Sequence, residues 1–159
     1  MISITRILFV IFAVLSTEIS TSINDYLPLT TGPTSTNYGE TGLFEMPTAR
    51  FQEAGNLKFG FSSFRPYEVT AISASPFEWL EATFRYTEIK NQLYSPYAYY
   101  SGNQTLKDKG FDFKLRLLKE SRFIPNFAVG LRDLAGTGLF ASEYLVATKE
   151  IHNFDVTLG

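Results

Sequence analysis

Eight charged residues occupy strand-like stretches of the sequence and could take part in catalysis or ligand binding. They are Glu81, Arg85, Asp112, Lys114, Arg116, Arg132, Glu143 and Asp155. Two carboxyl groups about 5 to 10 Å apart can act as the acid and the base or nucleophile of a glycosidase. The same acidic residues, balanced by the four basic ones, can instead line a water-filled lumen. Because the sequence does not single out one carboxylate pair, we predict that these residues line water.

His152 is the only histidine of the chain, and cysteine is absent. One imidazole without thiolates or a carboxylate pair at ligand spacing is not enough for a zinc site. It lies in a turn between two predicted strands and offers no serine a plausible general base. We therefore predict no metal, no cofactor, no disulfide and no histidine-dependent nucleophile.

Four tyrosines fall in one short stretch, residues 94–100 (YSPYAYY). They are Tyr94, Tyr97, Tyr99 and Tyr100. A tyrosine ring presents a flat apolar surface with a hydrogen-bonding hydroxyl, which suits stacking on sugar rings. The alternative is an aromatic belt at a membrane interface, or packing within the loop itself. The sequence favours the interfacial belt or the packing within the loop, and leaves stacking on sugars open.

The composition indicates one β-rich domain. The chain has 159 residues, and aromatic residues make up 16% of it, mostly phenylalanine and tyrosine, which are common in strands. Charged residues make up 19%, below the usual share of about a quarter in soluble domains. The net charge of −2 provides no basic field that could hold nucleic acid.

The N-terminus has the features of a signal peptide. Arg6 precedes an unbroken apolar run over residues 7–15, which is too short to span a hydrocarbon core of about 30 Å. Small residues follow, so we expect cleavage after Ser22. A short buried helix is the alternative, but it would show polar residues at helical spacing. We therefore divide the chain into a signal peptide (1–22), an irregular lead-in that is a lumen plug or a first strand (23–55), and barrel strands (56–159).

Apolar and polar residues alternate from residue 56 onward, which is typical of strands with two different faces. The alternating stretches are 57–62, 68–73, 80–87, 111–117, 126–132, 138–148 and 153–158. In the sixth stretch we expect Phe140, Tyr144 and Val146 on one face and Glu143 on the other. The pattern predicts an all-β, antiparallel up-and-down meander of about seven strands.

An alternating sheet can bury its apolar face in a sandwich, or turn that face to lipid in a membrane barrel. Large aromatic residues on one face and full charges on the other favour the barrel. The predicted connection over residues 88–110 is long and the others are short, as in outer-membrane barrels. Seven strands leave open edges, so we expect a barrel fragment whose closure needs more chain.

Four stretches resemble the YjbH family in matching order, from about Pro33 to Gly159. They are residues 37–50 (NYGETGLFEMPTAR), 79–87 (WLEATFRYT), 107–118 (KDKGFDFKLRLL) and 129–149 (VGLRDLAGTGLFASEYLVATK). The resemblance implies a role in bacterial exopolysaccharide biosynthesis and export. It also implies an outer-membrane β-barrel longer than this chain, of which the match covers the N-terminal portion. It supplies no catalytic residues.

The leading hypothesis is a non-catalytic outer-membrane β-barrel component of exopolysaccharide production or secretion. Its expected partners are outer-membrane lipid, polysaccharide and other envelope proteins of a polysaccharide system, but not nucleic acid. A secreted or periplasmic β-sandwich that binds carbohydrate through aromatic loops is the first alternative. A glycan-modifying enzyme with paired carboxylates is the second.

Overall fold

A computed structural model describes residues 32–159, so the predicted signal peptide and the start of the predicted lead-in lie outside the described residues. The elements are β1 (Gly42–Leu43), β2 (Met46–Pro47), β3 (Asn56–Phe64), β4 (Tyr67–Phe77), β5 (Leu80–Leu93), α1 (Ala98–Ser101), β6 (Thr105–Leu118), β7 (Asn126–Arg132), β8 (Ser142–Ile151) and β9 (Phe154–Leu158). Strands β1 and β2 form a small hairpin.

Strands β3 to β9 form one seven-stranded sheet, in which each strand pairs antiparallel with the next along the chain. The sheet curls into half a barrel and does not close, with β3 and β9 as its edge strands. The predicted all-β meander and its open, fragment-like form are therefore confirmed.

The hairpin of β5 and β6 is longer than the sequence pattern indicates. Its connection spans residues 94–104, not the predicted 88–110, because pairing continues through Glu88 opposite Lys107 and Ile89 opposite Leu106. In the part of the hairpin nearest this connection, both faces carry polar or charged residues. Period-two alternation therefore fades although the backbone ladder continues.

A proline lies inside one strand, where the sequence alone would predict a strand end. Pro76 is part of β4, at a shift in register between Ala74 and Phe77. A bulge leaves a residue out of the ladder, so the missing amide hydrogen of proline costs no pairing there. A second shift, between Arg116 and Leu118, coincides with the end of the alternating pattern in β6.

The sheet has two chemically different faces. Cross-strand partners Phe59, Ile72, Phe84 and Phe111 form a row on one side, which we call the apolar face. The neighbouring row, Lys58, Ser73, Thr83 and Asp112, lies on the other side, which we call the polar face. The apolar face is largely exposed, whereas most of the polar face is buried. This distribution is the reverse of that in a soluble sheet protein.

The connections differ between the two ends of the sheet. The end that we call the loop end carries the turn 65–66 and the longer connections 94–104 and 133–141. The opposite end carries connections at residues 78–79, 119–125 and 152–153. No helix within residues 32–159 is long and apolar enough to cross a membrane.

Candidate functional site

Residues 33–52, which we call the cover segment, lie across the polar face of the sheet. The amide of Thr41 donates a 2.5 Å hydrogen bond to Glu81 Oε1. Lys114 Nζ donates to the carbonyl oxygens of Thr41 and Arg50, each at 3.0 Å, and to that of Thr48 at 3.4 Å. One lysine therefore satisfies three carbonyl groups of a segment that has little regular secondary structure.

Glu81 and Lys114 form an ion pair at the centre of this contact. They are direct cross-strand partners in β5 and β6, with Nζ 3.4 Å from Oε2. Each is only 1% exposed. A buried charge is costly unless it is paired and hydrogen-bonded. The cover segment supplies hydrogen bonds to both members of this pair.

Glu40 anchors the next part of the cover segment to β7 and β8. Its carboxylate accepts hydrogen bonds from Arg132 Nε at 2.8 Å and from the hydroxyl of Tyr144 at 2.6 Å. The guanidinium of Arg132 also lies 5.3 Å from the centre of the Tyr38 ring, a distance suited to a cation–π contact.

Phe51 and Ala49 provide the small apolar part of the same contact. The Phe51 ring lies beneath two cations, with Lys114 Nζ at 4.7 Å and Arg116 Cζ at 4.5 Å from its centre. Ala49 is buried, and its amide donates a 2.8 Å hydrogen bond to Thr148 Oγ1. The C-terminal part of the cover segment is therefore held by β6 and β8 together.

Arg50 fixes the cover segment at the opposite end of the sheet. Its guanidinium contacts Glu120 at 2.5 Å and forms a two-pronged ion pair with Asp155. Burial disfavours the charge of Glu120, but hydrogen bonds from Lys149, the Glu150 amide and Arg50 outweigh that effect. Together they lower the pKa of Glu120 to about 2.

Arg85 and Asp112 are the charged pair of the polar face near the loop end. Arg85 Nη1 lies 3.4 Å from Asp112 Oδ2, and both side chains are buried. The Arg85 guanidinium is within 5.3 Å of the ring centres of Tyr38 and Phe140. Asp112 Oδ1 also accepts a 2.8 Å hydrogen bond from the amide of Asp133. The loop after β7 therefore folds back over this pair.

Seven of the eight charged residues singled out from the sequence share the polar face or its edge. The alternation of β5, β6 and β7 puts Glu81, Arg85, Asp112, Lys114, Arg116 and Arg132 there, and Asp155 reaches Arg50 from β9. Within residues 32–159, the cover segment packs against most of them. Their proposed role of lining water stays a prediction.

Glu143 is the exception: it lies on the face of β8 opposite Tyr144 and Val146, as expected, but that face is the apolar one, so its assignment to the polar face was wrong. Glu143 pairs with Leu131 and is exposed on the apolar face, while Tyr144 and Val146 point to the polar face. The ring of Tyr144 fills the space that Gly130, its cross-strand partner, leaves open. Phe140 is not in β8 at all, since the strand begins at Ser142.

The four acidic residues considered as a glycosidase pair do not meet in an open cleft. Glu81 is held by Lys114, Asp112 lies beside Arg85, Asp155 binds Arg50, and Glu143 is on the other face. Within residues 32–159, no group of three or more acidic or histidine side chains has a metal-binding arrangement. His152 lies in the turn between β8 and β9.

The four tyrosines lie together at the loop end. Tyr94 and Tyr97 precede α1, and Tyr99 and Tyr100 are within it. The Tyr100 ring makes edge-to-face contacts with Tyr97 and Tyr99. All four are exposed, and Tyr99 is 93% exposed. Their rings are therefore accessible to a ligand from outside the chain.

The sequence analysis missed the partners that the cover segment contributes. Glu40, Arg50 and Phe51 fall in a region without periodicity, so no pattern predicts which face they contact. Gly130 was the one sequence feature that indicated a close contact on the sheet, because an isolated glycine inside a strand often marks a close approach by another group.

These features define a class: an open, up-and-down half-barrel sheet with an exposed apolar face and a polar face covered by a segment of its own chain. The chain belongs to the YjbH family, whose profile, described as "Exopolysaccharide biosynthesis protein YbjH", matches residues 34–159. The "Uncharacterized lipoprotein YjbH" of Escherichia coli (strain K12) is 43% identical over 150 residues, or 94% of this chain. The chain spans only 22% of the length of that relative. No solved structure matches the chain.

Proposed function

We propose that residues 56–159 form part of the wall of an outer-membrane β-barrel that serves exopolysaccharide production or export without covalent chemistry. The observation that carries this proposal is the exposed apolar face. Phe59 and Phe154 are each 74% exposed, and further large apolar side chains extend the surface between them. Soluble proteins rarely expose apolar patches of this extent, whereas a barrel wall presents such a band to lipid.

The borders of the apolar face support the same role. At the loop end, the row of cross-strand partners Glu68, Glu88 and Lys107 is charged. Near the other end, Phe77 and Trp79 stack in parallel with ring centres 5.4 Å apart. Charged margins and interfacial aromatic residues commonly flank the lipid-facing band of a barrel.

The family description, which names exopolysaccharide biosynthesis, supports the polysaccharide part of the proposal. The name of the E. coli relative, a lipoprotein, supports a location in the cell envelope. The exposed tyrosines at the loop end are suited to contact sugar rings. A role without covalent chemistry agrees with the pairing of the buried carboxylates by cations. Polysaccharide turnover that is lost in Glu81→Gln would instead support the glycan-modifying enzyme.

Fractionation and site-directed labelling test the location of the sheet. A lipid-sensitive fluorophore on Phe113→Cys or Leu115→Cys should report an apolar, lipid-quenched environment in outer membranes. The matched probe on Tyr99→Cys, in the exposed loop, should report water. Recovery of the protein in the soluble periplasm, with the first two probes shielded by protein, would reject the barrel and favour the carbohydrate-binding sandwich.

A further inference from the structure

We propose that the polar face is a binding surface for a polyhydroxylated chain, and that the cover segment is a displaceable latch that competes with that chain. This role rests on the proposed function, because the polysaccharide is the competing ligand. The cover segment then keeps the polar face closed until a glycan replaces its contacts.

Apart from the ion pairs of Glu40 and Arg50, the polar face holds the cover segment through neutral backbone groups. Lys114 and Ser73 donate to carbonyl oxygens, the latter to Gly39 at 2.7 Å, and Glu81 and Thr148 accept from backbone amides. Sugar hydroxyl groups, like a peptide backbone, offer neutral donors and acceptors. Side chains arranged to satisfy a main chain can therefore also satisfy a polyol.

The polar face also contains buried polar atoms without a hydrogen-bond partner. They include Glu81 Oε2, Arg85 Nε and Nη2, Thr87 Oγ1, Asp108 Oδ2, Asp112 Oδ2 and Arg116 Nε. Leaving such groups unpaired costs free energy. Because donors and acceptors occur side by side, hydroxyl groups suit them better than a simple anion or cation does.

The apolar contribution to holding the cover segment is small. Its fully buried apolar contact with the sheet consists of Ala49 and Phe51 against Ala128 and Val146, and the half-buried Tyr38 ring adds an edge-to-face contact with Phe64. The remaining attachment is by hydrogen bonds and ion pairs, each of which contributes only about 0.5–3 kcal/mol net. A ligand that forms equivalent hydrogen bonds can therefore compete with the segment for the polar face.

The cover segment is incompletely packed along β3 and β4. A cavity of about 220 Å³ lies between the cover segment and these two strands. Its lining residues are Ser35, Thr36, Asn37 and Gly39 on the side of the cover segment and Gly60, Phe61, Ser62, Val69 and Ala71 on the side of the sheet. A cavity of this size holds several water molecules. It gives a hydroxylated chain a place to begin displacing the segment.

A reversible disulfide tests the latch. Ala49→Cys and Thr148→Cys would join the cover segment to β8 where the Ala49 amide now donates a hydrogen bond to the Thr148 hydroxyl, and the chain has no other cysteine. The probe is a fluorescent oligosaccharide released by mild acid from the producing strain's own exopolysaccharide. The full-length protein in detergent solution should bind it at least tenfold more weakly when oxidised than when reduced. Equal affinity in both states, or no binding in either, would overturn the proposal.

Two further variants complete the test. Thr70→Cys with Tyr86→Cys joins cross-strand partners on the apolar face, so its oxidation should leave affinity unchanged.

Glu40→Gln loosens the cover segment without a new cross-link and should raise the affinity for the oligosaccharide severalfold. An unchanged or lower affinity contradicts the latch. Binding in detergent is independent of membrane location, so its result and that of the fractionation are separable.

Discussion

The ring of Tyr144 lies over the α-carbon of Gly130, its cross-strand partner, and its hydroxyl donates a 2.6 Å hydrogen bond to Glu40 in the cover segment. A side chain on residue 130 would occupy the space that the ring fills. The pair therefore links the sheet to the segment that covers it, and sets which side chains of β8 point to the polar face.

Gly130→Ala should destabilise the folded protein by about 1–3 kcal/mol, because the added methyl group overlaps the Tyr144 ring. Urea unfolding in detergent micelles measures the change. Gly60→Ala is the matched control, since nothing lies within 4 Å of its added methyl group, and it should be neutral or slightly stabilising. Equal stability of the two variants would contradict the packing of Tyr144.

Lys114→Met should cost about 3–5 kcal/mol, because it leaves the Glu81 carboxylate buried without its cation. The double variant Lys114→Met with Glu81→Gln should recover part of this loss. It removes both charges while the glutamine oxygen can still accept the Thr41 amide. A double-mutant cycle by denaturant unfolding gives the coupling, and strictly additive effects would argue against a paired, buried contact.

Glu120→Gln should flatten the acid side of the stability profile. The folded-state pKa of Glu120, about 2, lies below its ordinary value, so the unfolded state binds the proton more readily. The stabilisation is therefore full above the ordinary pKa and lost as pH falls towards 2. Unfolding measured from pH 6 to pH 2 should converge for wild type and variant at low pH. A constant difference across this range would show that the carboxylate charge is not the cause.

Phe111→Arg should lower the amount of protein assembled in outer membranes, because Phe111 lies near the middle of β6 on the apolar face and an arginine at the bilayer midplane of a barrel wall costs about 2–4 kcal/mol. Tyr99→Arg, in the exposed loop, is the control and should assemble normally. Quantitative blotting of membrane fractions measures both. Normal assembly of Phe111→Arg would place this part of the sheet away from lipid.

Tyr99→Ala should weaken oligosaccharide binding severalfold and leave stability within about 0.5 kcal/mol, since its exposed ring makes few contacts within the chain. Tyr99→Phe keeps the ring and should retain most of the affinity if stacking is the interaction. Fluorescence titration with the same oligosaccharide probe measures both. Unchanged binding in Tyr99→Ala would leave the loop as an interfacial aromatic belt.

The sequence by itself determined the two-faced antiparallel meander, because period-two alternation is a local property that each strand displays. The side-chain positions of Glu81 and Lys114 in β5 and β6 followed from it directly. The sequence did not determine the extent of the β5–β6 hairpin, because residues 88, 89 and 93 pair with residues 105–107 through their backbone while their side chains lack the pattern.

Only the tertiary structure decided what covers the polar face. The contacts of Glu40, Arg50 and Phe51 join residues far apart in the chain, and an irregular segment has no period from which its neighbours could be inferred. The orientation of β8 was settled in the same way. Glu143 and Tyr144 are adjacent in the chain, so only one of them can point to the polar face. Tyr144 does so because Gly130 leaves space for its ring and Glu40 accepts its hydrogen bond, and both of these residues belong to other parts of the fold.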